Sequence, residues 1–390
     1  MKEKLRSAAI LSLTIVVLLM ASKQLPADTG TCGGATTTVP FTDVMADIFF
    51  CQIAEAYFSG LTNGTTPTTY SPSDTVLRDQ MAAFVTRAQD SALRRGSRRA
   101  TFNQWATPVG LPLTGRTTVG AEPELVASDG ADLWVASFAD VTRVRASDGT
   151  VLGTWTGATQ AWGVLVARGR IYVTGDINPG QLYEIDPTSP PGAVTLLSGA
   201  LGNFPLGITT DGRFIWTANL GGSVSRVNPD SGATINFTIG FSAPEGILFD
   251  GANLWVTDIG DNKLKRLNSN GGIIQSVAVG SSPLFPVFDG SNIWVPNNLS
   301  SSVSVIRARD GQVLATLTGN GLNEPMQATF DGQRILVTNI NGNSVSLWKA
   351  ADLTPLGSFA TGAMTSPVGS CSDGINFWIT LINTNQLARF

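Results

Sequence analysis

Between Ala243 and Gly280 the chain reads APEGILFDGANLWVTDIGDNKLKRLNSNGGIIQSVAVG, and its apolar positions fall into four short runs parted by polar turns. The first run ends at Asp250-Gly251, where glycine supplies the positive φ of a tight hairpin. The run NLWVTD follows; Leu264 and Leu267 then alternate with charged neighbours, and a second Gly-containing turn leads to IIQSVAV. Four antiparallel strands in about 40 residues make one blade of a β-propeller.

The same pattern recurs along the chain. Asp-Gly pairs begin at Asp129, Asp211, Asp250, Asp289, Asp331 and Asp373, and Arg168-Gly169 fills the gap between the first two, so successive spacings are 39, 43, 39, 39, 42 and 42. A proline stands six residues before the Asp in six of the seven copies (Pro123, Pro205, Pro244, Pro283, Pro325, Pro367), with Trp162 in that place in the second. An aromatic follows the pair in six of seven: Trp134, Tyr172, Trp216, Trp255, Trp294 and Trp378, with Leu336 the exception. The expected fold is therefore all-β, a seven-bladed β-propeller. Recurrence at one place per blade makes the Trp column a wedge between sheets rather than a sugar platform. Trp155 and Trp162, off that column, are the better ligand-contact candidates.

Phe390 follows the third strand of the seventh copy, and a fourth strand is missing there. Placing TPVGLPLTG (residues 107–115) over GQVLATLTG (residues 311–319) supplies it, so an N-terminal strand is expected to complete the last blade and remove the exposed sheet edges. Leu111-Pro-Leu-Thr-Gly115 has the letters of a cell-wall sorting signal, but no apolar segment and basic tail follow it.

The periodicity ahead of the ring is helical, in DIFFCQIAEAYFS (residues 47–59) and RDQMAAFVTRAQDSAL (residues 78–93). At the start, Lys2, Lys4 and Arg6 precede the apolar run AAILSLTIVVLLMA, which reads as a secretory signal and is short for a bilayer span. The expected organisation is signal 1–27, linker 28–40, helical module 41–93, basic linker 94–106 carrying Arg94, Arg95, Arg98 and Arg99, and propeller 107–390. The protein is accordingly expected outside the cytoplasm, secreted or at a bacterial-type cell surface or periplasm, with membrane contact only if the signal stays uncleaved.

A pI near 5.0 argues against nucleic acid as a partner. Fourteen per cent charged residues and 42 glycines suit a turn-rich exported β protein. In an oxidising compartment Cys32 and Cys51 can pair; Cys371, within an apolar strand, reads as a buried inert thiol.

IYVTGD, IWTANL, LWVTDI and ILVTNI at the second strand resemble the YVTN repeats of surface-layer and related extracellular propellers, and more distantly propellers of the NHL, streptogramin lyase and gluconolactonase types. Residues 40–90 resemble one S-layer homology (SLH) module through Phe41, Asp43, the Gly60–Gly64 turn, Tyr70-Ser-Pro72 and the Arg78 region. That resemblance implies a cell-envelope polysaccharide partner and makes Arg78 the glycan contact. Leu77 replaces the capping threonine of the family signature, and a helical spacer or dimer contact is the alternative.

The catalytic side of the resemblance is tested by composition. Streptogramin lyase-like propellers use a histidine base, and this chain has no histidine. Gluconolactonase-like propellers hold a divalent cation at the channel mouth. The residues after the proline column read Glu124, Gly163, Leu206, Glu245, Leu284, Met326 and Val368, so a calcium-type oxygen site could be built only from Glu124, Glu245 and turn residues such as Asn219, Asp258 and Asn339. The leading expectation is a cofactor-free, envelope-associated binding or scaffold protein whose propeller presents a protein- or glycan-binding face. The alternative is a cation-dependent lactonase, hydrolase or lyase.

Overall fold

The structure is a computed structural model and describes residues 27–32, 35–45, 47–58, 61–78, 80–85 and 115–390. The expected signal and the basic linker lie outside these residues, except for Ala27. Seven four-stranded antiparallel sheets form a seven-bladed propeller. In blade 1 the strands run, from the channel outward, Pro123–Ser128, Asp132–Ser137, Asp140–Arg145 and Val151–Thr156. The innermost strands of the later blades begin at Ala161, Pro205, Pro244, Val287, Pro325 and Pro367, with a Pro283–Asn297 bridge extending that of blade 5.

The Asp-Gly pair works as a tethered turn. In blade 4, Asp250 Oδ1 accepts the backbone amides of Ala252 and Asn253, and its Oδ2 accepts the Trp255 indole N–H at 2.7 Å. Gly251 takes the positive φ of 94° that closes the turn. The indole bond recurs at Trp134–Asp129, Trp216–Asp211, Trp294–Asp289 and Trp378–Asp373. Each of these tryptophans is essentially fully buried, so the column both packs the sheets and secures the turn. Leu336 breaks the column without breaking the device, because buried Arg334 donates Nε to Asp331 Oδ2 at 2.8 Å in its stead. Trp255→Phe should cost about 1–2 kcal/mol in urea unfolding, since it deletes that bond and leaves a carboxylate oxygen short of a donor; an unchanged midpoint would reduce the indole to packing alone.

Closure comes from the N-terminal side of the ring, with one correction. The strand that completes blade 7 is Gly115–Thr118, which pairs antiparallel with Gln386–Arg389 from Gly115↔Arg389 to Thr118↔Gln386. The expected segment 107–115 shares only Gly115 with it, and residues 107–114 lie outside the described residues. The better template was the end of blade 4: Val119-Gly-Ala-Glu-Pro123 repeats the spacing of Val279-Gly-Ser-Ser-Pro283. The two segments make the same hydrogen bond, Val119 N to Asn385 O and Val279 N to Asn262 O, and Glu122 and Ser282 share a positive φ. The fixed run-in to the next inner strand sets the register, and Leu-x-Thr-Gly does not.

The expected linker 28–40 contains a hairpin, Asp28–Cys32 paired with Ala35–Val39. Its threonine-rich letters hide a β-branched alternation that buries Cys32, Thr37 and Val39. Cys32 and Cys51 form a disulfide with a Cα–Cα distance of 5.5 Å; a 19-residue separation constrains the unfolded chain by about 3 kcal/mol. It joins the hairpin to the helix Phe50–Phe58, which buries Phe50, Ile53, Ala54, Tyr57 and Phe58. Asp43 accepts the amides of Tyr70 and Ser71, and Phe41 packs on Tyr57 and Tyr70. Residues 78 and 80–85 are helical. There the Gln80 side chain accepts the Leu77 backbone N–H at 2.9 Å, the reciprocal half of a capping box that lacks its hydroxyl.

This module does not stand off as a spacer but packs on blades 5 and 6. Its apolar residues are continuous with Trp294, Val305, Ala328, Val337, Trp348 and Leu353. Asn292 Nδ2 donates to Phe58 O at 2.8 Å, Arg307 donates to Tyr57 Oη and covers its ring at 5.1 Å, Arg309 donates to Asn63 Oδ1, and Lys349 pairs with Glu55 at 3.2 Å. Strand alternation puts all four ring residues on the face of the Asp-Gly turns. The opposite face carries the start of every innermost strand.

Candidate functional site

That opposite face is where the sequence placed Glu124 and Glu245, and pairing now defines the column they belong to. The first inner-strand residue faces the last second-strand residue in every blade: Pro123↔Ser137, Ala161↔Gly175, Pro205↔Asn219, Pro244↔Asp258, Pro283↔Asn297, Pro325↔Asn339 and Pro367↔Leu381. Ala161, not Trp162, therefore takes the proline's place in blade 2. One residue on, the channel-mouth ring is Glu124, Trp162, Leu206, Glu245, Leu284, Met326 and Val368. The expected Gly163 is replaced by Trp162, because a blade without the proline offers no landmark to align on.

The third inner-strand position is Gly163, Gly207, Gly246 and Gly369 in four blades, and a Cβ there would meet the carbonyl oxygen of the neighbouring blade's ring residue within 3.0 Å. In blades 2, 4 and 7 a threonine of the second strand holds that close approach, and Thr338 makes the same bond in blade 6. Thr257 accepts the Gly246 amide and donates to Leu284 O at 2.7 Å; Thr380 accepts the Gly369 amide and donates to Glu124 O at 2.6 Å; Thr174 and Thr338 reach Leu206 O and Val368 O. In blade 5, Pro296 has no hydroxyl, and main-chain bonds Phe285 N to Met326 O and Ala328 N to Phe285 O join blades 5 and 6 instead.

The residue after each second strand forms a second, outer ring: Phe138, Asp176, Leu220, Ile259, Asn298, Ile340 and Ile382. Side chains of both rings, from Leu206, Leu284 and Val368 to Leu220, Ile259, Met326, Ile340, Ile382 and Trp162, belong to one continuous apolar cluster, so blades 2 to 7 converge on one mouth.

Three carboxyls stand in this apolar mouth. Glu124 is 6% exposed and Glu245 9%. Burial, then the charges of Glu122 and Asp176, push Glu124 up to about 8. Burial and the charge of Asp176 push Glu245 up to about 7. Burial also raises Asp176. Asp176 of blade 2 acts on Glu245 of blade 4 with blade 3 between them. Glu124 Oε2, Asp176 Oδ1 and the Trp162 indole nitrogen are buried without a hydrogen-bond partner.

The turn residues expected to complete a cation site are not brought to these glutamates. Asn219 donates to Ser223 and Ser225, and Asn339 to Ser344 and Ser346, within their own blades. Asp258 accepts the Ser242 and Ala243 amides and pairs with buried Lys265 at 2.6 Å. Each closes the second strand onto the third, which spends its oxygen or its charge inside the sheet. Among the described residues no three His, Cys, Asp or Glu side chains stand together at metal-binding spacing. Sequence reasoning missed Asp176 and the place of Trp162; both were readable from the strand register once Ala161 is aligned with the prolines. Trp155 is buried against Trp134 at 5.1 Å and belongs to the core of blade 1. Cys371 is buried, and desolvation drives its thiol far above the usual range. Arg78 is exposed at the start of the second helix.

Compared with protein-family models and with characterised proteins, the chain matches none. Among solved structures it is similar to streptogramin B lyase, with a TM-score of 0.58 and 17% identity over 72% of this chain and 94% of that one. It is equally similar to the Kuenenia stuttgartiensis hydrazine synthase, with a TM-score of 0.57 and 17% identity over 73% of this chain and 98% of that one. At this identity the likeness is one of fold, a β-propeller, and the fold by itself carries no chemistry.

Proposed function

We propose that the protein is an exported, envelope-associated binding protein in which the ring recognises a ligand and the N-terminal module associates with envelope polysaccharide. The observation that carries this reading is the division of the two faces. The described part of the module covers blades 5 and 6 on the Asp-Gly face, and on the mouth face, among the described residues, loop side chains Phe138, Phe204, Ile239, Leu299 and Met364 are exposed around the carboxyl-bearing ring. Exposed apolar tips around a few convergent polar groups are the usual make-up of a recognition surface. The Cys32–Cys51 disulfide suits an oxidising compartment, and exposed Arg78 keeps its guanidinium available to a glycan.

Co-sedimentation of the purified protein with cell-envelope material tests this. The protein should pellet, and Arg78→Ala should release it if the module is the anchor. Pelleting that survives Arg78→Ala but is lost with Phe138→Ser and Leu299→Ser would move the contact to the ring, and a protein that stays in the supernatant overturns the envelope reading.

A further inference from the structure

The mouth holds three carboxyls that, once ionised, no cationic residue of either ring answers. Neither ring supplies a Lys or Arg. Glu124, itself nine-tenths buried, has a carboxylate oxygen with no donor, and Asp176 has another. The surrounding wall is Leu, Ile, Met and Val with the indole of Trp162, whose face attracts cations. A bare divalent ion would need three or more oxygens at coordination spacing, which the carboxyls do not offer among the described residues. A group that brings one positive charge, N–H donors and an apolar body meets each of these features: the charge answers the carboxylates, the donors reach the unpartnered oxygens, and the body lies against the wall.

We infer that the channel mouth is a binding site for an apolar organic ammonium ion, held by Glu124, Asp176 and Glu245 with the face of Trp162 toward its charged head. The inference rests on the ring being the recognition element, and it names the chemistry of what the ring takes. The carboxyls must shed protons to attract the cation, so affinity follows pH. Ammonium binding strengthens as pH rises through the range from about 7 to about 8 where Glu245 and Glu124 ionise and is weakened about tenfold or more one to two units below it.

Calorimetric titration of the whole protein at about pH 9 and about pH 6 tests this with phenethylammonium and N-alkylammonium chlorides, 2-phenylethanol and calcium chloride as probes. Saturable binding of at least one ammonium is expected at the higher pH, with a change in tryptophan fluorescence on titration that the Trp162→Leu variant lacks, and no saturation by the alcohol. Glu245→Gln should weaken it about tenfold or more, and Trp162→Leu should weaken ammonium binding while leaving the pH dependence in place. Equal binding of the alcohol, binding of calcium in preference, or no saturation by any ammonium at millimolar concentration would each overturn the assignment. Envelope co-sedimentation has a separate readout: a protein that binds ammonium ions but does not pellet loses the envelope reading alone.

Discussion

Glu124→Gln should unfold at higher denaturant concentration than the native protein at about pH 9, and at nearly the same concentration at about pH 5. The sign follows from linkage. Glu124 is held at about 8 against an ordinary 4.5, and Glu245 at about 7. Between those values the folded protein binds protons that the unfolded chain has released. The stability tied to these neutral carboxyls is complete below about 4.5 and is lost as pH climbs through about 8. Each pH unit of that separation is worth about 1.4 kcal/mol, so the alkaline loss at Glu124 is on the order of several kcal/mol, with a smaller share at Glu245. The two carboxyls share Asp176, so the effects of the two replacements fall short of additive. Glutamine keeps the shape and removes the ionisation, which is why the variant gains only at high pH. Urea midpoints at a series of pH values check this, and a native protein equally stable at about pH 5 and about pH 9 would refute it.

Lys265→Met is the second large effect, and its direction is loss. Lys265 is 2% exposed; its ammonium meets Asp258 at 2.6 Å, Asp261 at 2.9 Å and the Gly240 carbonyl at 2.7 Å. Burial alone would push Asp258 up, but Lys265 and the amides of Ser242 and Ala243 outweigh it and hold its carboxyl below the usual range. Methionine fills the space and leaves Asp258 charged and buried, at a cost of about 3–5 kcal/mol. Replacing the pair as Asp258→Asn with Lys265→Ser instead removes the stranded charge and should restore most of the loss, since an asparagine bonded to a third-strand serine serves this position at Asn219, Asn297 and Asn339. A single variant that loses under about 1 kcal/mol in urea unfolding would show the pair to be dispensable.

These two predictions divide the repeat into what each of its letters does. The residue that closes the second strand is Asn in three blades and Asp in blade 4, and in every case it is tied to the third strand; with strand alternation, the next residue along turns to the channel. An Asn or Asp in a turn looks like a metal ligand in the sequence because composition records its oxygen and not the direction of its side chain. Arg334 makes the same point from the other side. Leu336 leaves a hole in the Trp column, while the bond that matters is supplied by a residue two places earlier.

The sequence by itself determined the seven blades, the tight Asp-Gly turns and the presence of an N-terminal closing strand, because each depends on periodicity and turn chemistry within one 40-residue unit or between equivalent units. It also placed two glutamates in the ring at the mouth. Tertiary structure alone decided that Trp162 rather than Gly163 lines the mouth, that Asp176 acts on Glu245 past blade 3, that Asn219, Asp258 and Asn339 turn into their own blades, and that the helical module lies on blades 5 and 6. The reason is common to all four: each depends on which way side chains turn and which of them, from distant segments, converge on one axis or one face, and the repeat pattern is silent on contacts between units that share no letters.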